Sequence, residues 1–206
     1  MPETEFIFFD LGNVITFFDR DLAFNQIAEI SGASADRVRA VLMDDGLQNR
    51  YETGEVSSQE FFDEFCSATG TSPEMSELLF AGSNMFSLNF RIVPLLAQLR
   101  AVGYPIGILS NTCPAHWDYV CERFTMVGRA FSTTVLSFES RSMKPDGGIY
   151  KDAIEAAGCQ PEKIFFTDDL QANVDGAKDA GIDAVLFESA SALCIELQKR
   201  GIRINL

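Results

Sequence analysis

Three short apolar runs in this chain end in polar side chains whose types suit phosphoryl transfer. The runs are EFIFFD, YPIGILSN and KIFFTDD, and they end at Asp10, at Ser110 with Asn111, and at Asp168 with Asp169. Lys144 lies between the second and third runs, in SMKPDGGIY. Phosphoryl transfer depends on positioning and on neutralising spread negative charge. A carboxylate nucleophile, a hydroxyl, a lysine and two further carboxylates form a coherent set for that chemistry.

The elements around these residues predict how they come together. Each run is short and apolar, as is typical of strands buried on both faces. Helical patterns occupy 91–103, 149–158 and 173–181, and each ends in a glycine that favours helix termination. Strands alternating with helices predict an α/β fold, a Rossmann-like doubly wound parallel sheet. Residues 184–187 and 202–206 would supply further strands. In such a sheet, ligands bind beyond the carboxyl ends of the strands.

Residues 17–88 interrupt the alternation with one helical pattern after another. Ser34 is a predicted N-cap, and Ser57 or Ser58 is another, the former with Glu60 as a capping box. Thr71 or Ser72 precedes Pro73, which suits the first turn of a helix. We therefore predict a core of residues 1–16 and 89–206, interrupted after the first strand by a helical insert of residues 17–88.

Composition excludes several classes of partner. The chain has 206 residues, 47% of them hydrophobic, and a formal net charge of −14. It is long enough for one domain with an insert. Binding to nucleic acid or to an anionic membrane needs clustered basic residues, so we expect neither partner. The acidic surface would also repel a phosphorylated substrate unless a metal ion or a lysine offset the field locally.

Localisation follows from what the sequence lacks. No run approaches the roughly 20 apolar residues of a membrane span, and the N-terminus has no basic region or cleavage site. The five cysteines are scattered, with no paired or metal-ligand spacing. These features predict buried thiols and a cytoplasmic protein. Its oligomeric state does not follow from the sequence.

Four motifs in order resemble the haloacid dehalogenase superfamily of hydrolases over essentially the whole chain. They are FFDLGNV, ILSNT, SFESRSMKPDGGIY and FFTDDLQANVDGA. The resemblance implies a phosphatase for a small phosphorylated metabolite, with Asp10 as the nucleophile that forms an aspartyl-phosphate. It also implies that Ser110 and the backbone at Asn111 bind phosphoryl oxygens and that Lys144 stabilises the charged nucleophile. Mg²⁺ would be held by Asp10, the Gly12 carbonyl, Asp168 and Asp169. Residues 17–88 would be the helical cap that closes over the site and selects the substrate.

The physics of the carboxylates agrees with that assignment. Three carboxylates close together repel one another, so a cation among them would keep all three ionised. Mg²⁺ is a hard cation that prefers oxygen ligands. Without a metal, the pKa of at least one of these carboxyl groups should rise.

Gly12 departs from the family pattern. Phosphatases of this family usually carry a second Asp at this position, which protonates the leaving alcohol. The glycine resembles a branch with the sequence DLGN that includes α-D-glucose-1-phosphate phosphatases. An anomeric oxygen is a better leaving group than an ordinary alkoxide. We therefore expect a sugar-1-phosphate to depend less on the missing acid.

Each polar residue also has a simpler interpretation. Asp10, Ser110, Asn111, Asp168 and Asp169 could all be turn or helix-cap residues, and Lys144 a solvated loop charge. Three rival functions also remain: a metal-free 2-haloacid dehalogenase, a phosphomutase, and a binding or regulatory protein without turnover. The Asp168–Asp169 pair disfavours the dehalogenase, because a metal-free site gains nothing from extra carboxylates. Gly12 disfavours the mutase, because no side chain there could deprotonate a sugar hydroxyl.

A few further residues are open. His116 is the only histidine, and a position on the surface or facing the cap is expected rather than catalysis. Trp117 is expected to pack its helix. Asp19 and Arg141 could face the pocket or the solvent. Phe61, Phe62 and Phe65 have helical spacing and predict the apolar face of the cap.

Overall fold

The computed structural model describes residues 3–204. In chain order, the strands are β1 (Phe6–Phe9), β2 (Thr16–Phe18), β3 (Phe86–Leu88), β4 (Ile106–Ser110), β5 (Thr133–Leu136), β6 (Ile164–Asp168) and β7 (Asp183–Leu186). The first α-helices are α1 (Arg20–Ser31), α2 (Ala35–Arg39), α3 (Leu47–Glu52), α4 (Ser58–Thr69), α5 (Met75–Ser83) and α6 (Val93–Ala101). The others are α7 (Pro114–Arg123), α8 (Thr125–Ala130), α9 (Ser137–Ser140), α10 (Gly147–Ala157), α11 (Gln171–Asp179) and α12 (Ala190–Lys199). A π-helical turn covers Ala40–Asp44, and a 3₁₀ turn covers Pro161–Lys163.

A parallel sheet organises the fold. Its strand order is β5-β4-β1-β6-β7, with β1 paired to β4 on one side and to β6 on the other. The chain winds outward from β1 in both directions, so the winding reverses at β1. The predicted α/β fold with a parallel sheet is confirmed, and the reversal marks the edge where ligands bind in such sheets.

Apolar side chains cover both faces of the sheet because alternate residues of a strand point in opposite directions. Ile7 and Phe9 of β1 pack with α6, α7 and α12 on one face. Phe6 and Phe8 pack with α10 and α11 on the other face. A strand buried on both sides has no room for charge along its length, so the charged residues appear only where the strands end.

The helices α1 to α5, residues 20–83, form what we call the helical segment. Its apolar cluster draws on residues between Phe24 and Ala81, joined by Cys113. Asp19 caps α1 by accepting from Leu22 N–H, and the predicted caps at Ser34 and at Ser57 with Glu60 are confirmed. Phe61 and Phe65 lie in the cluster, and Phe62 packs against it.

Some sequence predictions are wrong. Residues 17–18 and 86–88 are not helical, because β2 and β3 pair there as an antiparallel ribbon. Helix α5 begins only at Met75, so Pro73 precedes it. Residues 202–204 form no strand, although Ile202 and Ile204 are buried in the core, and residues 205–206 lie outside the described residues. Strand β5 was not predicted. The division into a core (1–16 and 89–206) and a cap (17–88) stays a prediction.

All five cysteines are free thiols, two of them buried and three partly exposed. Within residues 3–204, no helix is both long and apolar enough to cross a membrane.

Candidate active site

The carboxyl ends of β4, β1 and β6 bring the predicted residues together. Asp10 directly follows β1, while Ser110 and Asp168 are the last residues of β4 and β6. Because β1 lies between the other two strands, these three side chains leave the sheet at neighbouring positions. The Asp10 N–H donates to the Thr167 carbonyl at 3.0 Å, which extends the pairing of β1 with β6 to the nucleophile position.

Lys144 lies at the centre of this group. Its Nζ donates to Asp10 Oδ1 at 2.7 Å, to Asp168 Oδ2 at 2.6 Å and to the Leu109 carbonyl at 2.8 Å. Burial alone would lower the pKa of the ammonium, but the carboxylates of Asp10 and Asp168 outweigh burial and raise it. Lys144 therefore remains charged although its side chain is only 1% exposed.

Asn111 fixes the backbone at Lys144. Its side-chain amide donates to the Lys144 carbonyl at 2.9 Å, and its amide oxygen accepts from the Lys144 N–H at 2.8 Å. The side chain therefore joins the end of β4 to the loop before α10, and only the backbone of Asn111 is left for the predicted phosphoryl contact. Ser110 is buried and lines the same cavity as Asp10.

Asp10 is an unusual carboxyl group. Burial raises its pKa to about 7, and the charge of Asp168 adds to the rise while Lys144 opposes it. The predicted increase in a carboxyl pKa is therefore found at the nucleophile position. One lysine does not fully compensate a carboxylate in this environment, so the site favours a further positive charge near Asp10.

The two consecutive aspartates occupy different positions. Asp169 lines the cavity and accepts from Asn13 Nδ2 at 2.9 Å. Asp168 is fully buried behind Lys144 and also accepts from Leu170 N–H at 2.9 Å and from Asn173 Nδ2 at 3.0 Å. Asp168 thus orients Lys144 in this arrangement, and its assignment as a metal ligand stays a prediction.

The residues present fit a magnesium ion. Asp10, Asp168 and Asp169 each place a carboxylate oxygen within 4.8 Å of the others. The Gly12 residue borders the same cavity and could offer its carbonyl. A set of hard oxygen donors with excess negative charge suits Mg²⁺ better than a soft metal. Burial and the charge of Asp168 raise the pKa of Asp10, and a cation bound among these carboxylates would counteract both effects.

The place of the missing second Asp is filled by an aromatic ring. A Cβ atom built on Gly12 would lie 2.9 Å from Phe18 Cε1 and 3.9 Å from Asp10 Oδ2. Phe18 in turn packs edge-on against Phe86, and the Arg20 guanidinium lies 5.2 Å from the centre of its ring. A larger residue at position 12 would therefore have to displace Phe18.

Of the remaining candidate residues, His116 and Trp117 are partly buried, whereas Asp19 and Arg141 are exposed. His116 lines the cavity, and burial lowers its pKa to about 4, so it is neutral at pH 7 and a poor proton donor. Trp117 packs against the core, as expected. Asp19 is the exposed cap of α1, and Arg141 is exposed after α9 with φ 56°. Neither lines the cavity.

Sequence reasoning missed several residues of the site. Asn13 adopts φ 56° and holds Asp169, while Asn173 holds Asp168. Asparagine tolerates the left-handed region, so its place directly after a glycine in the first motif was a usable signal. Arg20 and Glu52 carried no such signal, because their approach to the cavity depends on how the helical segment packs. Phe18 carried none because its position depends on the pairing of β2 with β3.

Comparison with known proteins finds a matching family of hydrolases and relatives that are named as phosphatases. The family model of haloacid dehalogenase-like hydrolases matches residues 4–181. The D-ribitol-5-phosphate phosphatase of Bacteroides thetaiotaomicron is 27% identical over 191 residues, which are 90% of this chain and 92% of that protein. The phosphoserine phosphatase of Thermus thermophilus is 29% identical over 81% of this chain and 69% of its own length.

A solved structure supports the same fold. A HAD family enzyme from Bacteroides thetaiotaomicron, crystallised with magnesium and inorganic phosphate, superposes with a TM-score of 0.81. It is 26% identical, and the match covers 90% of this chain and 95% of that one.

Proposed function

This chain belongs to the haloacid dehalogenase-like hydrolase family, and we propose that it is a Mg²⁺-dependent phosphatase acting on a small phosphorylated metabolite. The observation that carries the proposal is the contact between Lys144 and Asp10 at 2.7 Å, within a group of three carboxylates that could hold a cation. The relatives named as phosphatases, and the magnesium and phosphate bound by a structural neighbour, point the same way.

Asp10 is the proposed nucleophile. Its carboxylate oxygen attacks phosphorus, the ester bond to the leaving oxygen breaks, and that oxygen takes up a proton from water. Water then hydrolyses the aspartyl-phosphate, which releases inorganic phosphate and restores the carboxylate. Lys144 favours the ionised form of Asp10 and positions its carboxylate, and it offsets negative charge as the phosphoryl group moves.

Other residues of the chain bind and orient. The Ser110 hydroxyl and the Asn111 backbone are placed to contact phosphoryl oxygens, while the Asn111 side chain fixes Lys144. Mg²⁺ held by Asp10, Asp169 and the Gly12 carbonyl, with Asp168 as a further predicted ligand, would neutralise charge on the phosphoryl group.

We further propose that the leaving oxygen is more acidic than an ordinary alcohol, as it is in a sugar-1-phosphate. Gly12 leaves no carboxylate to donate a proton, and Phe18 fills the space that such a carboxylate would need. Neutral His116 does not replace it at pH 7. A leaving group that departs without a strong acid is compatible with this arrangement.

The metal-free dehalogenase remains the main rival. In such an enzyme Asp10 would attack carbon and displace halide, and a cation would be unnecessary. The grouping of Asp10, Asp168 and Asp169 disfavours this alternative, because a metal-free site gains nothing from a neighbouring carboxylate that raises the pKa of its nucleophile.

The decisive experiment measures release of inorganic phosphate from a panel of phosphorylated metabolites, with Mg²⁺ and with a chelator. We expect turnover only with Mg²⁺, and a loss of at least about 10³-fold in kcat for Asp10→Asn, which removes the nucleophile. Asp19→Asn is the matched control, because that carboxylate caps α1 outside the cavity. Metal-independent halide release from 2-haloacids, with no phosphate release, would replace the proposal with the rival.

A further inference from the structure

The cavity above Asp10 continues into the helical segment. Its volume is about 620 Å³. Beyond the site residues, much of its wall consists of buried apolar side chains from different helices: Phe24, Ile27, Leu42, Phe61 and Leu78. Arg20, Gln48, Asn49 and Glu52 form the polar part of the wall in the helical segment. Asp10 therefore borders a space that has both a polar part and a larger apolar part, the latter around Phe24, Ile27 and Leu78.

Along helix α1, the lining of the cavity changes from charged to apolar. Arg20, Phe24 and Ile27 all line the cavity, and their spacing places them on one face of the helix. Arg20 is the first residue of α1, where it stacks on the Phe18 ring beside Gly12. Phe24 and Ile27 follow about one and two turns later. The wall thus changes from charged to apolar with distance from Gly12.

The size of the space restricts the occupant. A cavity of about 150 Å³ holds one benzene molecule, and this cavity is about four times larger. Pockets of about 300–1,000 Å³ typically bury drug-sized ligands. A phosphoryl group with only a short carbon chain would leave most of the apolar wall unfilled.

We propose that the leaving group of the substrate carries an apolar end, the size of an aromatic ring system or larger, which lies against Phe24, Ile27 and Leu78. This inference rests on the proposed phosphatase function and adds a substrate class to it. Aryl phosphates also satisfy the argument from Gly12, because a phenolic oxygen is more acidic than an alcohol. A fully hydroxylated end group fits worse, since hydroxyls buried among these side chains would lose hydrogen bonds to water.

The test compares esters that differ mainly in apolar size. Phenyl phosphate and 2-naphthyl phosphate have similar leaving oxygens, and α-D-glucose 1-phosphate serves as the polar reference. One methylene group in a hydrophobic pocket changes kcat/KM by about 10–200-fold. With Mg²⁺ present, we therefore expect kcat/KM for the naphthyl ester to exceed that for the phenyl ester at least tenfold and also to exceed that for the sugar ester.

A plug in the cavity provides the structural test. Gly82 lines the cavity, and a Cβ atom there would lie 3.5 Å from Ile27 Cδ1, an ordinary contact distance. Gly82→Leu should fill the apolar end and reduce the naphthyl-to-phenyl ratio to about one, while phenyl phosphate is still hydrolysed. Ser76→Leu is the control, because it adds the same side chain at an exposed position of the same helix. If Gly82→Leu does not fold, Gly82→Ala should lower the ratio by a smaller factor.

The outcomes separate this inference from the proposed function. A preference for glucose 1-phosphate together with equal rates on both aryl esters would overturn the inference and leave the phosphatase standing. A ratio that folded Gly82→Leu does not change would also overturn it. Phosphate release from none of these esters and from no member of the metabolite panel would refute the phosphatase proposal. Calorimetric binding of 2-naphthol and phenol would then test the apolar end directly, with at least tenfold tighter binding of 2-naphthol expected.

Discussion

At the scale of single residues, the site combines a buried lysine that is paired with two carboxylates and a glycine where a further carboxylate is expected. Lys144 is held between Asp10 and Asp168, and both carboxylates are buried. At Gly12 the carboxylate expected for a phosphatase of this family is replaced by space that the Phe18 ring occupies. Restoring the acid therefore requires two changes rather than one.

Gly12→Asp tests whether an acid at position 12 governs the dependence of catalysis on the leaving group. The single variant should be less stable by about 1–3 kcal/mol, because the new side chain overpacks against Phe18. In Gly12→Asp/Phe18→Ala, the ring no longer blocks the carboxyl group. General acid catalysis contributes about 10²–10⁴-fold, so kcat/KM for an alkyl phosphate relative to an aryl phosphate should rise at least about tenfold.

Steady-state kinetics on both ester types check this, with Phe18→Ala alone as the control. A ratio in the double variant equal to that in the control would show that position 12 does not govern dependence on the leaving group.

At the scale of elements, the helical segment is fastened to the core by polar contacts at the cavity edge. The Ser137 hydroxyl, just after β5, donates to the Glu52 carbonyl of α3 at 2.6 Å and accepts from the Thr112 N–H after β4 at 2.9 Å. Tyr51 of α3 accepts from the Ala115 N–H at 3.3 Å. Helix α3 therefore holds the cavity-lining side chains Gln48 and Glu52 above the loop that follows β4.

Ser137→Ala tests this attachment. Loss of the hydroxyl leaves the Glu52 carbonyl and the Thr112 N–H without this partner, which should lower the free energy of unfolding by about 1–3 kcal/mol. A less well-placed α3 should raise KM by up to about tenfold, equivalent to about 1.4 kcal/mol, with a smaller change in kcat. Denaturant titrations and steady-state kinetics measure the two effects.

Ser132→Ala is the matched control, because its hydroxyl donates to the Ile106 carbonyl, away from the helical segment. Equal KM values for Ser137→Ala and Ser132→Ala would contradict a role for Ser137 in placing α3.

At the scale of the whole molecule, His116 lies where the helical segment meets the core. It belongs to α7 and packs edge-on against Phe86 of β3, and the backbone of Gly82 in α5 partly offsets the effect of burial on its pKa. Arg20 is the charged group that acts on it, and its positive charge reinforces the effect of burial. Protonation at this junction would place a second positive charge near Arg20 within a largely buried space.

The buried position of His116 makes the free energy of unfolding sensitive to acid. Burial lowers the pKa of His116 from its ordinary value of 6.5 to about 4 in the folded protein. Between these values the unfolded chain binds the proton more readily, so stability falls as the pH is lowered through this range. From pH 7 to pH 5 the contribution is about 1–2 kcal/mol.

Denaturant titrations of wild type and His116→Gln at pH 7 and pH 5 isolate the effect, because other groups that titrate in this range, Asp10 among them, are common to both proteins. The variant should lose about 1–2 kcal/mol less than wild type on acidification. Equal losses in the two proteins would refute the assignment.

The sequence by itself determined the features that depend on local pattern. Apolar runs ending in Asp10, Ser110 and Asp168 predicted three buried parallel strands, because only their ends can accommodate charge. The caps at Ser34 and Ser57 followed from short-range hydrogen bonding that the chain carries wherever it lies. Motifs in order also predicted that Asp10, Lys144 and the Asp168–Asp169 pair share one site, and the structure brings these side chains together.

Only the tertiary structure decided which atoms face one another. Asp168 and Asp169 are adjacent in sequence, yet one orients Lys144 and the other faces the cavity, because consecutive side chains leave a strand end in different directions. Phe18 reaches Gly12 only because β2 pairs with β3 and turns the ring inward. The size and apolar lining of the cavity likewise arise from five helices packing together, which no local pattern specifies.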